Sequence, residues 1–129
     1  MVYRKGTLLI PTGPSQHLHI VMNDPVFSPE HGDERSLIVN ISTVYSDRYY
    51  DDACLLDVGC HPFITRQSYV YYKCAVISEA PRLTEAIEAG NIVAKPAVND
   101  EVFNLVRLGF DKSRFVLPKI KRFLKYHQF

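Results

Sequence analysis

The chain has 129 residues, 47% apolar, 22% charged and 12% aromatic, a length and balance that predict one folded domain with its own hydrophobic core and exclude a disordered chain. A formal net charge of +1 excludes wholesale coating of nucleic acid by excess positive charge. No apolar run reaches membrane-spanning length, the first residues carry no apolar stretch behind Arg4 and Lys5, and Cys54, Cys60 and Cys74 form no CxxC pair, so a cytoplasmic protein with reduced thiols and no membrane partner is expected.

In chain order the first half reads as strands divided by turn residues. Thr7-Leu8-Leu9-Ile10 lies between Gly6 and the turn Pro11-Thr12-Gly13-Pro14. His17 to Met22 follows, its alternation sending Leu18, Ile20 and Met22 to one face and His17, His19 and Val21 to the other. Residues 23 to 36, with Pro25, Pro29 and Gly32, read as a long loop. Leu37 to Val44 is a third strand with Val39 and Ile41 inward and Asn40 and Ser42 on a polar face. An acidic, tyrosine-rich bridge from Tyr45 to Asp52 leads to the apolar segment Cys54 to Val58, then to Gly59-Cys60-His61-Pro62-Phe63-Ile64, and Tyr69 to Ile77 is the longest strand expected.

The second half turns helical. Pro81 to Ala89 is a short helix stopped by Gly90, Ile92 to Ala94 an edge strand, and Asn99 the cap of a helix that carries Val102, Phe103 and Val106 and ends at Gly109. A last helix begins at Pro118, with Ile120, Phe123 and Leu124 as its apolar stripe. Residues 111 to 129 hold six Lys or Arg against one Asp, whereas residues 1 to 110 hold nine against thirteen acids, so the tail offers either a contact for phosphates, membrane lipids or an acidic partner or the solvated face of a terminal helix. Strands first and helices later predict an α+β domain, residues 1–129, with a small curved antiparallel sheet or barrel over 1–78 and a helical part over 79–129.

The residues able to carry chemistry cluster in the strand half. His17 and His19, two apart on a strand, share a face and could share a metal or a phosphate, with Asp24 or His31 nearby in sequence, or be solvated surface histidines. His61, on a His-Pro turn, could exchange protons or fix its loop through the backbone. Cys54 and Cys74 read as core thiols, and Cys60 becomes reactive only if the fold turns it toward His61. The chain has no GxSxG elbow, GxxxxGK loop or GxGxxG turn. What the residue types suit is metal-free cleavage of RNA through its own 2′-hydroxyl: His17, His19 and His61 to exchange protons, Arg66 or Lys73 to hold phosphate, Ser42 or Thr43 to orient it, and Tyr69 or Tyr71 to stack a base. Each of these side chains also has an ordinary packing role open to it.

The order Gly6-Thr7-Leu8-Leu9-Ile10, His19-Ile20-Val21-Met22 and Leu37 to Val44 ending near Thr43 resembles the start of the PemK/MazF toxin endoribonucleases, over roughly residues 5–78. The family's Arg-Pro loop is absent, and Gln16-His17-Leu18 stands nearest to it. The resemblance implies an SH3-like barrel followed by short helices, and a metal- and cofactor-independent endoribonuclease acting on single-stranded RNA. It also implies an antitoxin protein as partner and pairing into a homodimer. On this reading His17, His61 and Thr43 are the catalytic candidates, and His19, Ser42, Arg66, Tyr69, Tyr71 and Lys73 bind substrate. The alternative is a noncatalytic module of phage or mobile-element type that binds protein or nucleic acid.

Overall fold

The molecule is organised around one long strand. In the computed structural model, which describes residues 2–129, β4 (Asp33–Thr43) shares its two edges among β2 (Ser15–Val21), β3 (Val26–Ser28), β6 (Ser68–Val70) and β7 (Val76–Glu79). All pairings are antiparallel: β3 takes residues 33–35 of β4 and β2 takes 38–40 along one edge, while β7 takes 35–38 and β6 takes 41–43 along the other. β1 (Thr7–Thr12) pairs β2, β8 (Val93–Lys95) pairs β1, and β5 (Leu55–Leu56) pairs β6. The pairing path runs β5-β6-β4-β2-β1-β8, and no ladder among the described residues joins β5 to β8. The architecture is therefore α+β with an open eight-stranded antiparallel sheet.

The segment expected as a loop over residues 23–36 is a hairpin instead. β3 pairs the start of β4 around the turn at Pro29-Glu30-His31-Gly32. Buried Asn23 bridges β2 to it: its Oδ1 accepts from Leu37 N–H (2.8 Å) and its amide donates to Arg35 O (3.2 Å). A side-chain amide thus stands in for a strand neighbour where the ladder is interrupted, which an alternation pattern does not reveal.

Tyr69 to Ile77 is likewise not one strand. It breaks into β6, a single 3-10 turn over Tyr72–Cys74, and β7, so that the chain leaves one end of β4 and rejoins it further along. The turn aims Tyr72 inward, fully buried, where its hydroxyl donates to Val106 O (2.7 Å) and its ring meets Phe110 edge-on at 4.7 Å. Cys74 lies on this turn and is exposed, contrary to its expected place in the core.

Three helices complete the chain: α1 (Ala80–Glu88), α2 (Asp100–Lys112) and α3 (Pro118–His127). Asn99 caps α2 as expected, its side chain accepting from Val102 N–H (2.8 Å). Gly109 does not stop that helix. It lies inside α2 and gives room to Tyr72, whose hydroxyl would stand 1.8 Å from a Cβ at that position.

Both faces of the sheet are covered. Leu18, Ile20, Met22, Leu37, Val39 and Ile41 point into the main core with the apolar faces of α2 and α3, whereas Leu8, Val21 and Ile38 form a smaller cluster with Val2, Leu83 of α1 and Ile92. The alternation is read correctly for the first face, but the second, expected to be polar and solvated, is closed by residues remote in sequence.

Candidate nucleic-acid interface

The β2–β4 ladder ends at the pair His19–Asn40. Continued by two residues, it would set His17 opposite Ser42, but there the strands separate and β6 holds β4 from its other edge through Ser42–Tyr69 and Thr43–Ser68. The separation opens a cleft of about 470 Å³. Leu9, Leu18, Ile41 and Ile64 supply apolar lining, and His17, Ser42, Thr43 and Ser68 the polar groups. Tyr45, Tyr49, Tyr50, Phe63 and Tyr69 supply its rings, and Arg48 a cation.

The aromatic rim is held by defined contacts. Tyr50 and Tyr69 meet at 5.7 Å, and the guanidinium groups of Arg48 and Arg66 approach the Tyr45 ring at 4.9 and 5.4 Å. The Lys95 ammonium sits 4.5 Å over Phe63. The bridge carrying Tyr45, Tyr49 and Tyr50 is tethered near its end by buried Asp51, which accepts from Ala53 N–H (3.0 Å) and from the Ser113 hydroxyl (2.5 Å) after α2. Arg48 and Asp47 approach only to 3.9 Å and are both exposed, an ion pair of little worth that leaves the guanidinium available.

Of the residues selected from sequence, the cleft gathers His17, Ser42, Thr43 and Tyr69. The half-buried His17 ring is held through Nδ1 by the Thr12 hydroxyl, and its Nε2 has no protein partner among the described residues. Tyr71 and Lys73 line an adjoining cavity that shares Tyr49, Tyr50 and Tyr69 with the cleft. Arg66 reaches the site through Tyr45.

The structure separates His61 and His19 from this group, and neither lines the cleft. His61 is buried between two chain segments: Nε2–H donates to Pro96 O (2.7 Å), with the Thr7 hydroxyl at 3.3 Å, and Nδ1 accepts from Phe63 N–H (3.1 Å). Both ring nitrogens serve the backbone, so the expected proton-transfer role gives way to a turn-fixing one. His19 is buried too, its Nδ1–H donating to His17 O (2.9 Å), and loss of hydration lowers its pKa. Burial likewise raises the thiols of Cys54 and Cys60, and His61 spends its ring elsewhere, so the Cys60–His61 pairing is not formed.

Asp24 accepts from Arg4 N–H and the His31 ring bonds the Ser28 hydroxyl, so neither completes a set with His17 and His19. Among the described residues no group of three or more His, Cys, Asp or Glu is spaced to hold a metal ion, and no helix is long and apolar enough to cross a membrane. Sequence reasoning missed Tyr45, Arg48, Tyr49, Tyr50 and Phe63. The available signal was the bridge itself, where exposed tyrosines recur among polar residues with no alternation that would bury them. Comparison with family models, characterised proteins and solved structures returns no match for this chain.

Proposed function

We propose that the cleft binds single-stranded RNA. The observation that carries this reading is the convergence of Tyr45, Tyr49, Tyr50 and Tyr69 with Arg48, His17 and the Ser42 and Thr43 hydroxyls in one open cleft. Exposed rings give unpaired bases stacking surfaces worth about 1–3 kcal/mol each, and Arg48 and Arg66 supply charge for the phosphates. The hydroxyls and His17 offer donors and acceptors to a 2′-hydroxyl, the group that distinguishes RNA from DNA. Fluorescence anisotropy with a labelled single-stranded RNA tests this: Tyr45→Ala with Arg48→Ala should weaken binding at least about tenfold, roughly 1.4 kcal/mol, at an unchanged melting temperature. Equal binding by wild type and variant sinks the reading.

A second reading adds cleavage, and the free Nε2 of His17 in the same cleft as Thr43 favours it. Here His17 takes the proton of the 2′-hydroxyl, the 2′-oxygen attacks phosphorus, and the 5′-oxygen leaves and is protonated by solvent. The products are a 2′,3′-cyclic phosphate and a 5′-hydroxyl, with Arg48 stabilising the charged phosphorane. A toxin of the PemK/MazF kind would act this way, and β4 shared by four strands suits an SH3-like barrel left open between β5 and β8. An antitoxin, self-pairing and a cytoplasmic location belong to this same reading. Incubating RNA with protein in EDTA discriminates: His17→Ala should abolish cyclic-phosphate product and keep the part of the binding that the rings and Arg48 supply, whereas binding without product in the wild type leaves a noncatalytic module.

A further inference from the structure

A cavity of about 140 Å³ adjoins the cleft on the side of Tyr69, with Tyr49, Tyr50 and Tyr69 lining both and Tyr71 and Lys73 added. A further cavity of about 330 Å³ adjoins that one, sharing Tyr49, Asp51 and Phe115 and adding Lys112 and Arg114 at the end of α2. The rings follow the same line: Tyr50 to Tyr69 at 5.7 Å, Tyr69 to Tyr71 at 5.6 Å, and Tyr49 to Phe115 at 5.8 Å.

From this succession of adjoining cavities we infer that the site is a track for one RNA strand several nucleotides long, running from His17 in the cleft over Tyr69 and Tyr71 to Lys112 and Arg114; the inference rests on the RNA-binding reading above. Cations recur along the line at Arg48, Lys73, Lys112 and Arg114, all exposed, and the last three make no ion pair among the described residues. Two acids face the far end. Asp51 is occupied by Ser113 and by the Ala53 amide, and Asp52 is exposed and lines the same cavity as the two cations. Neighbouring rings already touch at their tilts, so bases stack on their outward faces and the strand lies along the track rather than threading between rings. A peptide with an acidic stretch is the competing occupant. It would use the far-end cations but has no need of the ring-lined middle.

Anisotropy titrations with labelled oligouridylates from about two to about ten nucleotides long test the track. In the wild type, affinity should climb with length before levelling off. The double variant Lys112→Glu/Arg114→Glu, on exposed positions, should bind the shortest oligomers as the wild type does and lose most of the gain of the longer ones. Its salt slope for long RNA should fall by about 1.4, the counterions of two phosphate contacts on a single strand. Tyr71→Ala should lose gain at intermediate lengths. If short oligomers bind but affinity does not grow with length, or the far-end variant weakens all lengths equally, the track is wrong while the cleft survives. If no length binds, both fall, and capture of an acidic peptide by the wild type but not the far-end variant assigns that end to the competing occupant.

Discussion

His61 and His19 share a side-chain type and lie outside the cleft for different reasons. His61 is used as a rivet. Its ring joins the Pro62 turn to Pro96, beyond β8, so truncating it removes two backbone partners at once in a buried place. His61→Ala should cost about 2 kcal/mol, read as a lower urea midpoint with an unchanged slope; a variant with full stability and lost activity would restore the catalytic reading. His19 is a buried neutral ring whose pKa is depressed by lost hydration, below the value of about 6.5 it regains on unfolding. Between those two values the unfolded chain binds more protons than the folded one, so stability rises with pH across that window and is lost on acidification below about 6.5. His19→Gln should flatten that part of the stability–pH curve relative to wild type. The pairing of His17 with His19 on one strand face was legible from spacing alone. That His17 opens onto a cleft while His19 lies in a covered interior was not, because Val2, Leu83 and Ile92, which close the cluster on that face of the sheet, come from distant parts of the chain.

At the scale of elements, local chemistry decided starts and tertiary packing decided breaks. Asn99 begins α2 and Pro118 begins α3 where capping and proline preferences put them. Gly109 reads as a helix stop only because a glycine's more ordinary use, making room, depends on a partner from another element. That partner is Tyr72, which the 3-10 turn that breaks the expected strand from Tyr69 to Ile77 carries inward. Gly109→Ala would place its Cβ 1.8 Å from the Tyr72 hydroxyl and 2.4 Å from Cζ, both belonging to a fully buried side chain. The expected loss is about 3 kcal/mol, the upper end for overpacking. Tyr72→Phe removes only the nearer of those two atoms and should rescue little. Tyr72→Leu, destabilising by itself, should combine with Gly109→Ala at far less than the sum of the two, a non-additivity that chemical denaturation of the four proteins measures.

For the whole molecule, the candidate site arises from where strand ends diverge. The polar face of β4 was visible as Asn40 and Ser42, and Tyr69 as a ring beside it. The meeting of Ser42 and Tyr69 with His17 depends on β2 leaving β4 after His19–Asn40, a long-range event without a local signature. The same holds for the bridge, whose rings line the cleft and whose end Asp51 ties to Ser113, 62 residues away. Both partners of that bond are buried, so Ser113→Ala leaves a carboxylate oxygen unsatisfied while removing no group that lines the cleft beside His17. The bridge should relax toward solvent rather than keep that oxygen dry, at a cost of about 1–3 kcal/mol if it stays. Amide hydrogen exchange should therefore quicken over residues 45–52 and not in the β1–β2 ladder. RNA affinity should drop about fivefold, roughly 1 kcal/mol, because the rings are no longer pre-positioned. Ser113→Thr keeps the hydroxyl and should keep both properties. If Ser113→Ala exchanges and binds like the wild type, the tether is incidental and the placement of the tyrosines must come from the rings themselves.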